Sequence, residues 1–261
     1  MAGLAILSLV YGNFAPLVEP FPPWLPWPQL WSDGAGAILL AASAGLFLAR
    51  SASVSALVIG GYGVIWLLTR VRPVFLKPLN VGSWYGLSEP LGALIGAWLL
   101  CALLRQQSDL VERVVPNALA RTAKPGSRTL QVARVSFGAA CLVYGAGHFA
   151  YPAYTAAMIP AWLPGRMALA YLTGAAHVAA GLALLLGVLP RLAATLEAIM
   201  IILFGVLVWL PSFFAHPRPA WASPPQVQWS ETWLTFLLAA SAWIVATWLQ
   251  NTRPIGISPT N

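Results

Sequence analysis

Two histidines and one glutamate carry the chemical interest of the C-terminal half of this chain: His148, His177 and Glu231. Each stands in a run of apolar residues, where an ionisable side chain is costly to keep and is therefore a candidate for function. An imidazole changes charge near neutral pH, so it can hydrogen-bond a ligand oxygen or relay a proton. A carboxylate beside it can hold the ring in one orientation. At a rise of about 1.5 Å per helical residue, His148 falls near one end of its helix and His177 somewhat deeper from the same end. Glu231 falls at that boundary. The three are expected to face one another beneath a loop carrying Trp162 and Arg166, and Trp162, Arg166 and Tyr144 are the expected ligand contacts. Glu197 falls toward the opposite side and is not expected to join them. Each residue also has a plain structural reading. A histidine in a helix bundle can simply bond a neighbouring carbonyl, and the matched pairs Ser88-Glu89 and Ser230-Glu231 look like helix starts, where the dipole favours a carboxylate. The sequence leaves both readings open.

The chemistry least demanding of such a set is recognition of a polar head with an apolar body, such as a quinone carbonyl or a small oxidisable anion. That needs one or two donors and an apolar wall. A quinone is accordingly the expected cofactor. Haem ligation by His148 and His177 would use imidazoles as axial ligands, but their difference in depth and the lack of further histidines in the spans weigh against it. Two histidines and a carboxylate also resemble a metal triad, and no metal is expected here. Cys101 and Cys141 are the only cysteines, with no Cys-x-x-Cys pair, which argues against thiol–disulfide redox chemistry.

The elements that must position these residues are membrane helices. The chain is 59% hydrophobic and 8% charged, with a mean hydropathy of +0.75, whereas a soluble domain carries roughly 25% charged residues. A span needs about 20 largely apolar residues. Eight runs qualify, near 2–18, 33–49, 53–70 and 84–105, then 134–152, 168–189, 191–214 and 229–249. The N-terminus lacks a basic region and a cleavage site, so it reads as a retained first span. Arginine and lysine distribution favours cytoplasmic N- and C-termini, and a bacterial inner membrane is the expected location. The net charge of +7 needs no nucleic acid to explain it. The lipid bilayer is the expected partner, and the basic stretch 106–133 is positioned to meet anionic headgroups.

The spans come in two sets of four. Leu9-Val10-Tyr11-Gly12 returns as Leu142-Val143-Tyr144-Gly145, and Pro22-Pro-Trp-Leu-Pro26 as Pro160-Ala-Trp-Leu-Pro164. Gly34 answers to Gly174, Arg50 to Arg191, Gly63-Val64 to Gly205-Val206, and Ser88-Glu89 to Ser230-Glu231. Matches recurring in order at one long period mark a repeat. An even number of spans per copy makes the repeats parallel. The expected fold is therefore all-α: two tandem parallel four-helix bundles. The first repeat covers 1–105, a cytoplasmic linker 106–133, the second repeat 134–250, and a tail 251–261. Ala15 stands where the second copy has His148, and Ala37 where it has His177. The polar site is thus expected in copy two, with copy one a scaffold or the holder of a different site. Arg50 and Arg191 are expected to offset the C-terminal ends of the spans before them.

At Gly145-Ala-Gly-His148-Phe149, Met158-Ile-Pro-Ala-Trp-Leu-Pro164, Thr173-Gly174, Gly181-Leu182 and Arg191, the second copy resembles the DoxX-like family of small four-helix membrane proteins. Some members of that family look like subunits of thiosulfate:quinone oxidoreductase or other redox assemblies. Where the family commonly shows an acidic residue after the Thr-Gly of its second span, this chain has His177. The resemblance implies a four-helix unit and a quinone-linked oxidoreductase component, with a redox protein as partner. A small-molecule or lipid transporter and a non-catalytic membrane anchor are the rival expectations.

Overall fold

The first helix is short. In the computed structural model, which describes residues 1–15, 19, 21–105 and 128–250, α1 runs over Ala2–Tyr11 and stops at Gly12, whose φ of 61° lies in the left-handed region. Glycine enters that region without the Cβ penalty and commonly ends helices there. Ten residues rise about 15 Å, half of a hydrocarbon core of about 30 Å, so the expected span over 2–18 is not a full crossing helix. The helices that follow are α2 (Pro28–Gly45), α3 (Ala52–Leu76), α4 (Val81–Arg105), α5 (Arg128–Ala150), the short α6 (Pro152–Met158), α7 (Arg166–Leu186), α8 (Pro190–Phe204) and α9 (Pro225–Gln250). No strand occurs among the described residues. The region 106–127, most of the expected linker, and the tail 251–261 lie outside the described residues. The linker's last residues, from Arg128, are already helical, because α5 starts six residues before the expected span.

Among the described residues, five helices are long and apolar enough to cross a membrane: Ala52–Leu76, Val81–Leu104, Arg166–Leu186, Pro190–Ser212 and Pro225–Gln250. The Pro190–Ser212 span continues α8 through a π-helical turn, Gly205–Trp209, into Leu210–Ser212. The outer surface is apolar, with Phe47, Leu68, Leu172 and Leu186 exposed, while Ser32, Ser55, Gln228 and Ser241 are buried. That inversion is what a bilayer selects, because no water is present there to hydrate outward polar groups. Inward hydroxyls find partners on their own helices: Ser230, Thr232 and Ser241 each donate to the carbonyl four residues earlier.

Two separate bundles are not what the packing shows. Within each half the first two helices pair, α1 with α2 and α5 with α7, and the last two pair, α3 with α4 and α8 with α9. The first and last helices of a half do not close on each other. Instead α4 packs on α5, α1 packs on α9, and α4 packs on α9. Each half thus lends its last helix to the other half's first, and the two copies interlock. The reason lies in small residues. A Cβ on Gly96 of α4 would stand 2.3 Å from the Ser241 hydroxyl of α9, and one on Gly3 of α1 would stand 2.1 Å from the Trp233 ring. Small residues let helix backbones approach this closely, and dispersion replaces the missing hydrophobic drive in lipid. A side-chain bond from Gln226 Nε2 to Asn13 Oδ1, 2.6 Å, ties α9 to the segment after α1.

Candidate functional site

A close backbone-to-backbone crossing of α5 and α7 sets the site's geometry. On α5 and α7, Gly138 and Gly181 face each other so closely that a Cβ on Gly181 would stand 2.8 Å from the Gly138 carbonyl. A Cβ on Gly145 would stand 2.7 Å from the Gly174 carbonyl. That approach brings His148, one turn beyond Tyr144, against His177, one turn beyond Thr173. The two imidazole centroids are 5.2 Å apart and edge-to-face, within the range aromatic pairs favour. Phe204 of α8 completes the cluster, 5.8 Å from His177 and 6.0 Å from His148.

Each imidazole has one nitrogen fixed. His148 Nδ1 lies 3.1 Å from the Ala170 carbonyl and 3.0 Å from the Thr173 hydroxyl. The carbonyl can only accept, so His148 Nδ1 is the protonated nitrogen and Nε2 carries the lone pair. His177 Nδ1 lies 2.7 Å from Glu197 Oε1, with both side chains buried. This corrects the expectation that Glu197 stands apart. His177 lies ten residues before Gly187 and Glu197 eight after Leu189, and only the turn 187–189 separates the two helices. Antiparallel neighbours joined by so short a turn are level at equal distances from it, so the two side chains meet. The Cys141 thiol also faces the Glu197 carboxyl.

A cavity of about 490 Å³ opens over this cluster. His148, His177, Tyr144 and Glu231 line it, together with Tyr85, Glu89 and Arg70 from the first half. Ile201, Phe204, Val208, Leu234 and Leu238 give it an apolar wall. Glu231 and Glu89 are not helix caps. Their helices begin at Pro225 and Val81, so both carboxyls stand about two turns inside, facing the Arg70 guanidinium across the cavity. The Tyr144 hydroxyl donates to the Ser88 carbonyl at 3.0 Å, tying α5 to α4 beside the site. In the short α6 at the rim, the Tyr154 phenol is held above its usual range by burial and by the Glu231 charge.

Trp162 and Arg166 are not part of it. Trp162 is 71% exposed, Arg166 is exposed too, and neither lines the cavity. The rim is made by α6 instead, with Tyr151, Tyr154 and Met158. A seven-residue helix here was not readable as apolar periodicity, and it displaces the Pro-Trp-Leu-Pro segment outward. Arg191 also differs from expectation. It opens α8 rather than closing α7, and the C-terminal carbonyls of α7 at Leu184 and Leu185 receive the Arg134 guanidinium of α5. Arg70 and Glu89 could have been found in the sequence only by knowing that the halves interlock.

Residues 137–246 match the family model described as Domain of unknown function (DUF8561). No curated protein matches the chain, and no solved structure matches it. The matched segment runs from α5 into α9 and so holds His148, His177, Glu197 and Glu231. Arg70, Tyr85 and Glu89 lie outside it.

Proposed function

We propose that the chain is a quinone-linked component of a membrane oxidoreductase, with its site in the cavity over His148 and His177. The observation that carries this reading is the pair of adjacent imidazoles, one backed by a buried carboxyl, in a cavity with an aromatic and aliphatic wall. A quinone ring has two oxygens at the end of an apolar tail, and a cavity of this volume lies within the range of small-molecule sites. His148 Nε2 is the acceptor for a quinol hydroxyl. A bound quinone would supply two-electron chemistry, and His177, held by Glu197, would be an oriented base for its ring hydroxyl. Glu89 and Glu231 would offer onward proton acceptors beside Arg70. The DoxX-like resemblance of the second copy agrees with this assignment. The same reading takes the chain as an eight-pass protein of a bacterial inner membrane, with both termini cytoplasmic and α1 supported in the bilayer by its packing on α2 and α9.

The test is quinone retention. Protein purified in mild detergent is extracted with organic solvent and the extract assayed for quinone. Wild type should carry it, and should rebind decylubiquinone after depletion. His148→Ala and His177→Gln should each lower retention at least about tenfold, since each removes a hydrogen bond from a buried head, with the helical circular dichroism unchanged. Wild-type protein that neither carries nor rebinds quinone rejects the proposal.

A transporter is the second reading, and the charges favour it. Arg70, Glu89 and Glu231 come from both halves of the chain and meet in one cavity, beside a π-helical turn of a kind frequent at functional sites. Solute uptake into proteoliposomes without any change in quinone redox state selects that reading.

A further inference from the structure

The first half has a cavity of its own. It lies between α2 and α3, has a volume of about 750 Å³, and shares no lining residue with the histidine cavity. It stands at the corresponding place in the repeat. Gly63 answers to Gly205, so Tyr62 and Trp66 of this cavity answer to Phe204 and Val208 of the other. The histidine chemistry is gone here: Ala37 replaces His177, and at the spacing that relates Gly63 to Gly205, Ser55 replaces Glu197. What stands in its place is Glu19, which has no acidic counterpart in the second copy.

Glu19 is 5% exposed and lines the cavity. Its Oε1 accepts a hydrogen bond from the Tyr62 hydroxyl. Its Oε2 has no partner among the described residues. Trp66, 3% exposed, lines the same cavity, and its indole Nε1 also has no partner among the described residues. Buried polar groups without partners are rare and costly, and each asks for an explanation. One acceptor and one donor, both orphaned in one apolar cavity, are complementary to a group that can donate and accept. A hydroxyl does both. A cationic head fits less well, because the Arg70 charge already acts on Glu19. The entrance faces lipid: Leu30, Ile38 and Ile65 line the cavity and are each more than half exposed on the apolar outer surface.

We propose that the cavity between α2 and α3 is a second ligand site, taking from the bilayer a molecule with an apolar body and a neutral hydroxyl head held by Glu19 and Trp66. The site is independent of the quinone reading.

Two substitutions probe it without attacking the fold. A Cβ on Gly61, which lines the cavity, meets nothing within 4 Å, so Gly61→Leu fills the space. Trp66→Phe keeps an aromatic ring and removes the donor. The probes are 4-decylphenol and decylbenzene, alike except for the hydroxyl, with retained molecules counted by native mass spectrometry of the full-length protein. Wild type should retain one more 4-decylphenol than Gly61→Leu, and should not retain decylbenzene at that site. Trp66→Phe should need about tenfold more 4-decylphenol for the same occupancy. Melting temperatures close to wild type verify that both variants are folded. Equal retention of the two probes by wild type, or equal retention of 4-decylphenol by wild type and Gly61→Leu, overturns the proposal.

Discussion

At His177 the side chain has two duties. It lines the cavity, and it is the partner of a carboxyl that is 1% exposed. The second duty makes a stability prediction that does not depend on what binds above it. His177→Ala leaves Glu197 buried with only the weak Cys141 thiol donor beside it, and such a loss costs about 3–5 kcal/mol. The double variant His177→Ala with Glu197→Leu removes both polar partners and should recover most of that loss, because an apolar pair of similar size is often as stable as the ionic one. Thermal unfolding in detergent of wild type, both single variants and the double variant measures the coupling. Additive effects of the two substitutions contradict the pairing. His148 is held differently, by a carbonyl and a hydroxyl that both remain satisfiable by water or by each other. His148→Ala should therefore destabilise less than His177→Ala.

The helices are positioned by glycine, and copy one and copy two use glycine at different places. Gly34 and Gly174 are matched in the repeat, yet a Cβ on Gly34 meets nothing within 4 Å, whereas one on Gly174 would stand 2.7 Å from the His148 Cβ. In the first half the close approach falls instead at Gly36, where a Cβ would stand 3.0 Å from the Ala5 carbonyl. Alanine substitution separates the two. Gly34→Ala should be neutral or stabilise by up to about 1 kcal/mol, through helix propensity alone. Gly174→Ala pushes α5 and α7 apart at the histidines and should cost about 1–3 kcal/mol and weaken quinone retention with it. Matched melting temperatures for the two variants contradict the assigned crossing.

For the whole molecule, the interlock predicts that neither half is self-sufficient. The second half alone would lose α4, and with it Tyr85, Glu89 and one wall of the histidine cavity. The first half alone would leave α1 without α9. Expressed as separate chains, 1–105 and 128–261 should each be degraded or aggregate, and co-expressed they should co-purify through a tag on either one. A stable second half that retains quinone without the first would mean that α4 is dispensable to the site.

Membrane helices and the matched motifs of the two halves are legible in the sequence alone. Hydropathy, sparse charge and matched motifs are local properties, legible one residue at a time. His148, His177, Tyr144 and Glu231 were legible for the same reason: an ionisable or phenolic group in an apolar run is conspicuous wherever the run folds. Trp162 and Arg166 were misread because loop position does not say which way a loop leans. Glu197 meets His177 because its level is set by the short turn joining α7 to α8, which distance from the span ends does not reveal. That α4 and α9 cross between the halves is visible only in the packing. That choice depends on which small residues meet at close approach, a pairwise property of surfaces far apart in the chain. It is why Arg70 and Glu89, conspicuous as charges, could not be assigned to the second copy's cavity until the packing was known.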